Sequence, residues 1–187
     1  MKQHILPALK LTIICIVFFC GIYTLLILAV AQLAPNKGNG ETISINGKVV
    51  GYELEGQSFS NDKYFSSRPS AVNYNAAGSG ASNKGTTNPD YLKDVESKID
   101  TFLFHNPSIK KSQVPAELVT ASGSGLDPDL SIDAANIQIA RIAKSRNLTE
   151  DRVKTLVEMH TEKPLLGLFG PATINVLKLN IDLDKLN

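Results

Sequence analysis

The sequence predicts an α+β fold: a single N-terminal transmembrane helix followed by one small extracytoplasmic domain. Three observations carry that expectation. No charged residue occurs from Leu11 to Asn36. An Asn-Gly pair, Asn46-Gly47, stands between two β-prone runs. The remainder alternates helix-period apolar residues with Gly/Ser/Asn-rich connections, the pattern of helices and short strands packed around one core.

The anchor comes first. Leu11–Leu33 is almost wholly apolar, and at ~1.5 Å per residue such a run crosses a hydrocarbon core of about 30 Å. A cleaved secretory signal would use Lys2 and Lys10 as its basic region and Ala29-Val30-Ala31 as its cleavage site. Signal cores, however, run only about 7–15 residues, so an uncleaved helix over 11–34 is expected. Lys2, His4 and Lys10 precede it closely, which places residues 1–10 in the cytoplasm as a short N-terminus. Residues 35–187 then form the extracytoplasmic domain of a membrane-anchored chain.

Cys15 and Cys20 both lie inside the apolar run, so the exported part has no thiol chemistry. Lys2 and Lys10 account for two of the 19 basic residues, leaving 17 against 18 acidic. A near-neutral domain offers no electrostatic footing for nucleic acid or for an anionic membrane surface.

Along the domain, Asn46-Gly47 predicts a hairpin over 42–55, with strands 42–45 and 48–55 and Val50, Tyr52 and Leu54 sharing a face. A long Gly/Ser/Asn loop follows over 64–89. Asn88 as cap and Pro89 at the first position start a helix over 89–105, with Leu92, Val95, Ile99, Phe102 and Leu103 at helical spacing. Leu118–Ala121 reads as a short strand. Ser131 caps a helix over 131–147, and Thr149 caps another over 149–160. Asn147-Leu-Thr149 fits a glycosylation acceptor, but the helix stop and restart explain the same residues. Strict alternation of Leu177, Leu179, Ile181 and Leu183 predicts a half-buried strand over 175–184.

Four chemistries deserve a trial. A phosphate loop over Gly80–Gly85 fails, because Thr86 stands where Lys is required and Lys84 precedes the glycine. A nucleophile elbow around Ser124 fails, because Ser122 occupies the first glycine position and neither His105 nor His160 has a triad context. Asp127, Asp129, Ser131 and Asp133 alternate like calcium ligands, but Ile132 replaces the loop glycine and Gln138 the bidentate Glu. An acidic helix N-terminus explains the same carboxylates. Arg68, fixed in extended backbone by Pro69, either braces the loop or contacts a partner.

The segments GQSF (56–59), YFSSRPSA (64–71), YNAAGSGASNKGTTNP (74–89), LVTASGSGLDP (118–128), AANIQIARIAKSRNL (134–148) and GPATINVLKLNIDLDKL (170–186) closely resemble the C subunits of Kdp-type, ATP-driven potassium transport complexes. With the N-terminal anchor the resemblance spans nearly the whole chain, in order. It implies an accessory, non-catalytic subunit that works beside a channel-like A subunit selecting potassium, a B subunit hydrolysing ATP and a small F subunit. It also implies a catalytic-chaperone role that raises the catalytic subunit's ATP affinity, with Ser122, Gly123, Ser124, Gly125, Asp127 and Gln138 as the nucleotide-linked region. ATP and potassium are then handled by the complex, and indirect coupling suits an extracytoplasmic domain better than direct binding. The partner-facing, loop-shaping set is Tyr64, Phe65, Arg68, Pro69, Tyr74, Asn75, Ser82, Asn83, Asn88 and Pro89. Asp129 and Asp133 make the acidic turn richer than the family leads one to expect. The alternative is a membrane-anchored calcium-binding or enzyme domain. The short span between anchor and first strand keeps the domain close to the bilayer.

Overall fold

The computed structural model describes residues 2–186, which divide into an N-terminal unit and a domain beginning at Ile43. The first unit is one run of helix: α1 (Lys2–Cys15), a π-helical stretch Ile16–Tyr23 and α2 (Thr24–Ala31). His4–Ala31, 28 residues, is long and apolar enough to span a membrane. The helix therefore starts nine residues before the expected 11, because residues 2–10 contain nothing stronger than Pro7 to stop it. Cys15 and Cys20 are both free.

The domain opens with a two-stranded sheet, β1 (Thr42–Ile45) and β2 (Lys48–Tyr52), around the expected Asn46-Gly47 turn. Both turn residues have positive φ, 51° and 77°, as a tight hairpin turn requires. β2 ends at Tyr52 rather than 55, and Leu54 lies in the following turn, exposed. α3 (Pro89–His105) starts where expected, with the Asn88 side chain accepting from the amides of Asp90 and Tyr91. Its apolar stripe is only half-buried, and Leu92 is exposed. Leu118–Ala121 is not a strand: Ala116–Leu118 makes a 3-10 turn that buries Leu118 and Val119.

The core lies among four helices and a small antiparallel pair. β3 (Asp129–Leu130) pairs with β4 (Ile174–Asn175). Around them stand α4 (Ile132–Asn136), α5 (Ile139–Arg146), α6 (Glu150–Met159) and α7 (Val176–Leu183). Leu130, Ala134, Ile142, Val153, Val157, Ile174, Leu179 and Leu183 are buried there together with Phe65 from the long loop.

Two elements differ from expectation. The helix over 131–147 is broken, because the Gln138 side chain donates to the Ala134 carbonyl while its own amide turns to Ala135. The carbonyl that an unbroken helix would bond through its backbone is thus taken by a side chain. The C-terminal segment 175–184 is not a strand beyond Asn175 but helix α7. Asn175 caps it by accepting from the Lys178 amide, and Val176, Leu179, Asn180 and Leu183 are buried at helical spacing. A polar residue on the buried face disguised that period. The helix stop at Asn147 (φ 55°) and restart at Thr149, whose side chain accepts from the Arg152 amide, give those residues a local role.

Candidate functional site

The long loop is fastened at its entrance by two arginines from one helix. Arg141 on α5 is buried and donates through Nε to Asn106 Oδ1 (3.0 Å), through Nη1 to the carbonyls of Asp62 and Tyr64, and through Nη2 to Gln138 Oε1 (2.7 Å). Burial pulls the Arg141 guanidinium below its usual range, against the opposing field of Asp62. One turn on, Arg146 donates to the Lys63 carbonyl (2.7 Å) and to Asp184 Oδ1 (2.6 Å) and stacks over the Tyr64 ring at 5.0 Å. Asn180 on α7 then treats Phe65 as a neighbouring strand would, accepting from its amide (2.8 Å) and donating to its carbonyl (2.9 Å). Gln138 accepts from the Ser66 amide (2.8 Å). The chain from 62 to 66 cannot move without breaking buried polar contacts.

Beyond that strap, the loop lies against the turn over residues 118–128. Arg68 Nη1 pairs with Asp127 Oδ2 at 2.8 Å, the two side chains 24% and 28% exposed. The Ser122 amide donates to the Pro69 carbonyl (3.2 Å) and the Gly80 amide to the Ser124 carbonyl (2.8 Å), joined there by Ser79 Oγ (2.9 Å). Tyr74 hydroxyl donates to the Arg68 carbonyl (2.7 Å), and burial raises its pKa above 10.0, keeping it a donor. Ser70 Oγ accepts from the amides of Val72 and Tyr74. Asn75 caps a short turn through the Ala77 amide, and Asn83 adopts positive φ while donating to the Ala81 carbonyl. Ser82 is exposed, and Asn88-Pro89 close the loop as the start of α3.

The two residue sets singled out in the sequence thus meet in one place. The groups expected to shape the loop bond to the turn expected to be nucleotide-linked. That turn is self-sufficient: Ser122 Oγ accepts from the Gly125 amide and Ser124 Oγ from the Leu126 amide. Gly123 is exposed and makes no close approach. Gln138 is fully buried, and both ends of its amide are bonded. Asp127 and Ser131 of the calcium-like set are likewise bonded within the fold. Asp127 holds Arg68 and the Asp129 amide, Ser131 caps α4 and bonds to Glu117, and Asp133 sits in the first turn of α4. Among the described residues, no three His, Cys, Asp or Glu side chains gather where they could hold a metal ion. His105 pairs with Asp62 (2.8 Å) and His160 with Asp182 (2.9 Å).

Arg141, Arg146, Asn106 and Asn180 were not singled out in the sequence. The available signal was polar residues recurring on otherwise apolar helix faces, Arg141 between Ile139 and Ile142 and Asn180 after Leu179.

Asp129 gives a pH-dependent test of this region. Burial raises its carboxyl above the ordinary 3.8, with Asp127 and Glu162 adding to the shift and Lys178 and Asn175 opposing it. The native state therefore binds that proton more tightly than the unfolded chain, so stability falls as pH climbs from 3.8 through the raised native value. Asp129→Asn removes the effect. Its thermal midpoint is expected above wild type at pH 7, with the gap closing below pH 3.8; an unchanged gap across that range contradicts the assignment.

A helix of membrane-spanning length followed by a small α+β domain, whose longest loop is braced against its own turn, fits a membrane protein with one apolar N-terminal helix. The sequence profile described as KdpC, K+-transporting ATPase, c chain, matches residues 5–185. The chain is 55% identical over 184 residues to the potassium-transporting ATPase KdpC subunit of Flavobacterium psychrophilum, covering 98% of this chain and 99% of that one. It is 50% identical over 186 residues to the KdpC subunit of Bacteroides thetaiotaomicron, 98% of each. With that of Caldanaerobacter subterraneus it shares 42% over 184 residues, 98% of this chain and 95% of the other. The chain belongs to the KdpC family of potassium-transporting ATPase subunits.

Proposed function

We propose that this chain is the non-catalytic accessory subunit of an ATP-driven potassium uptake complex, and that the braced loop over 64–89 is its grip on a channel-like A subunit. The observation that carries this is the Arg68–Asp127 pair and the Gly80–Ser124 bond, which hold a long polar loop in one shape. A loop ordered before binding loses little conformational freedom on docking. The domain lies outside the cytoplasm, the helix lies in the bilayer beside the A subunit, and a B subunit and a small F subunit complete the assembly. The chain raises the B subunit's ATP affinity as a coupling free energy passed through the complex. Indirect coupling is supported by the commitment of Gln138 and the 122–127 turn to internal bonds.

Arg68→Ala tests this reading. A partly exposed pair is worth about 1 kcal/mol, so the chain stays folded while the loop loses its tie to the turn. Recovery of the chain with an affinity-tagged A subunit is expected to drop several-fold, and potassium affinity to weaken. Assembly and pumping at wild-type potassium affinity would refute the loop's role.

A further inference from the structure

A second hairpin, over residues 162–173, carries an apolar tip that the core does not use. Glu162 and Thr173 bridge its base, and Leu165 and Phe169 exchange amide-to-carbonyl bonds at its end. Leu165, Leu166, Leu168 and Phe169 are 63–81% exposed. From Pro164 to Leu177 no residue is charged.

The turn itself marks the tip as selected for something other than folding. Leu166 and Gly167 have φ of 54° and 73°, nearly the backbone of Asn46 and Gly47 at 51° and 77°. The two turns differ in length, Asn46-Gly47 joining its strands directly while Leu166, Gly167 and Leu168 lie inside the Leu165–Phe169 bridge, but each opens with a residue in the left-handed region. At the first turn the left-handed position holds Asn, which tolerates it; at the second it holds Leu, which adopts it at a conformational cost. An exposed, strained Leu lowers stability and adds apolar surface, so the side chain must recover free energy from a partner.

We infer that this tip inserts into the head-group region of the bilayer that the chain's own helix spans. Residues 32–42 join the helix to the domain, and at ~3.3–3.6 Å per residue this tether reaches at most about 40 Å. The tip offers no polar side chain between Pro164 and Pro171, whereas protein interfaces combine an apolar centre with a hydrogen-bonding rim. A contact without direction suits lipid. Glu162 and Lys163, both exposed at the tip's base, leave no net charge there, so the contact rests on Phe169 and the leucines entering the acyl boundary.

The test uses the full chain in vesicles of phosphatidylethanolamine and phosphatidylglycerol, in a Cys15→Ser, Cys20→Ser background. A bimane label at Leu168→Cys is compared with one at Phe104→Cys, an exposed apolar site on α3. Insertion predicts a blue-shifted label at 168, quenched several times more strongly than the label at 104 by nitroxide-bearing lipid and shielded from iodide. Equal behaviour of the two labels overturns the inference. So does shielding of 168 that appears only when the other subunits are reconstituted with the chain, which would place the tip in a protein pocket. Leu166→Asn should weaken the lipid quenching at 168 while leaving the thermal midpoint unchanged or higher; a lowered midpoint would show Leu166 to serve the fold and would also overturn it.

Discussion

Replacing Arg141 with Ala is expected to cost about 3–5 kcal/mol of stability, the range for removing one partner from a buried charged network. The guanidinium serves the carbonyls of Asp62 and Tyr64 and the side chains of Asn106 and Gln138. Its loss leaves the buried Asn106 Oδ1 and the part-buried carbonyls of Asp62 and Tyr64 short of a donor, while Gln138 keeps the Ser66 amide, and it frees the strap that seats Phe65 in the core. Against a typical total of about 5–15 kcal/mol, the chain should fail to accumulate at physiological temperature. Arg141→Lys should recover only part of the loss, because one ammonium cannot span the same fork of acceptors. Urea unfolding of the full chain in detergent measures both, and a midpoint for Arg141→Ala equal to wild type contradicts the network's role.

Gly125→Ala is the second large effect, and it strikes the loop rather than the core. Gly125 has φ of 69°, and an added Cβ would stand 2.6 Å from Val72 Cγ2 and 2.8 Å from the Gly80 carbonyl oxygen. The carbonyl belongs to backbone and cannot rotate away, so the loop must lift from the turn and the Gly80–Ser124 bond is lost. Strain of about 1–3 kcal/mol is expected, together with failure to assemble. Hydrogen exchange resolves the two regions: the Gly80 amide should lose protection while that of Ile142 in α5 keeps it. Gly123→Ala is the matched control, since nothing lies within 4 Å of its Cβ position, and it should leave both amides unchanged. A loss of protection at Ile142 equal to that at Gly80 would mean that loop and core are not separable.

What the sequence revealed and what it concealed follow from the range of the interactions. The Asn46-Gly47 turn, the Asn88-Pro89 start of α3 and the Thr149 cap of α6 are set by residues within a few positions of each other, and all are where the pattern placed them. The apolar N-terminal helix is present too, but it starts before the expected residue 11. Arg141 reaches Tyr64 across 77 residues and Asn180 reaches Phe65 across 115, so no local period could announce those bonds. The same long-range demand misled the reading of α7: Asn180 interrupts an apolar face because Phe65 needs its amide, and the remaining leucines then alternate like a strand. Arg68 was legible as a brace or a contact, and the structure supplies the brace partner, Asp127.

The central claim is that the 64–89 loop is a preformed contact surface held outside the cytoplasm. It is tested most directly by labelling Ser82→Cys, in the Cys15→Ser, Cys20→Ser background, with a membrane-impermeant maleimide added to spheroplasts. Ser82 is exposed in the isolated chain. Reaction from outside when the chain is expressed alone, and protection when the A subunit is present, is the expected result. Reaction only after the membrane is permeabilised would put the loop in the cytosol and contradict the account.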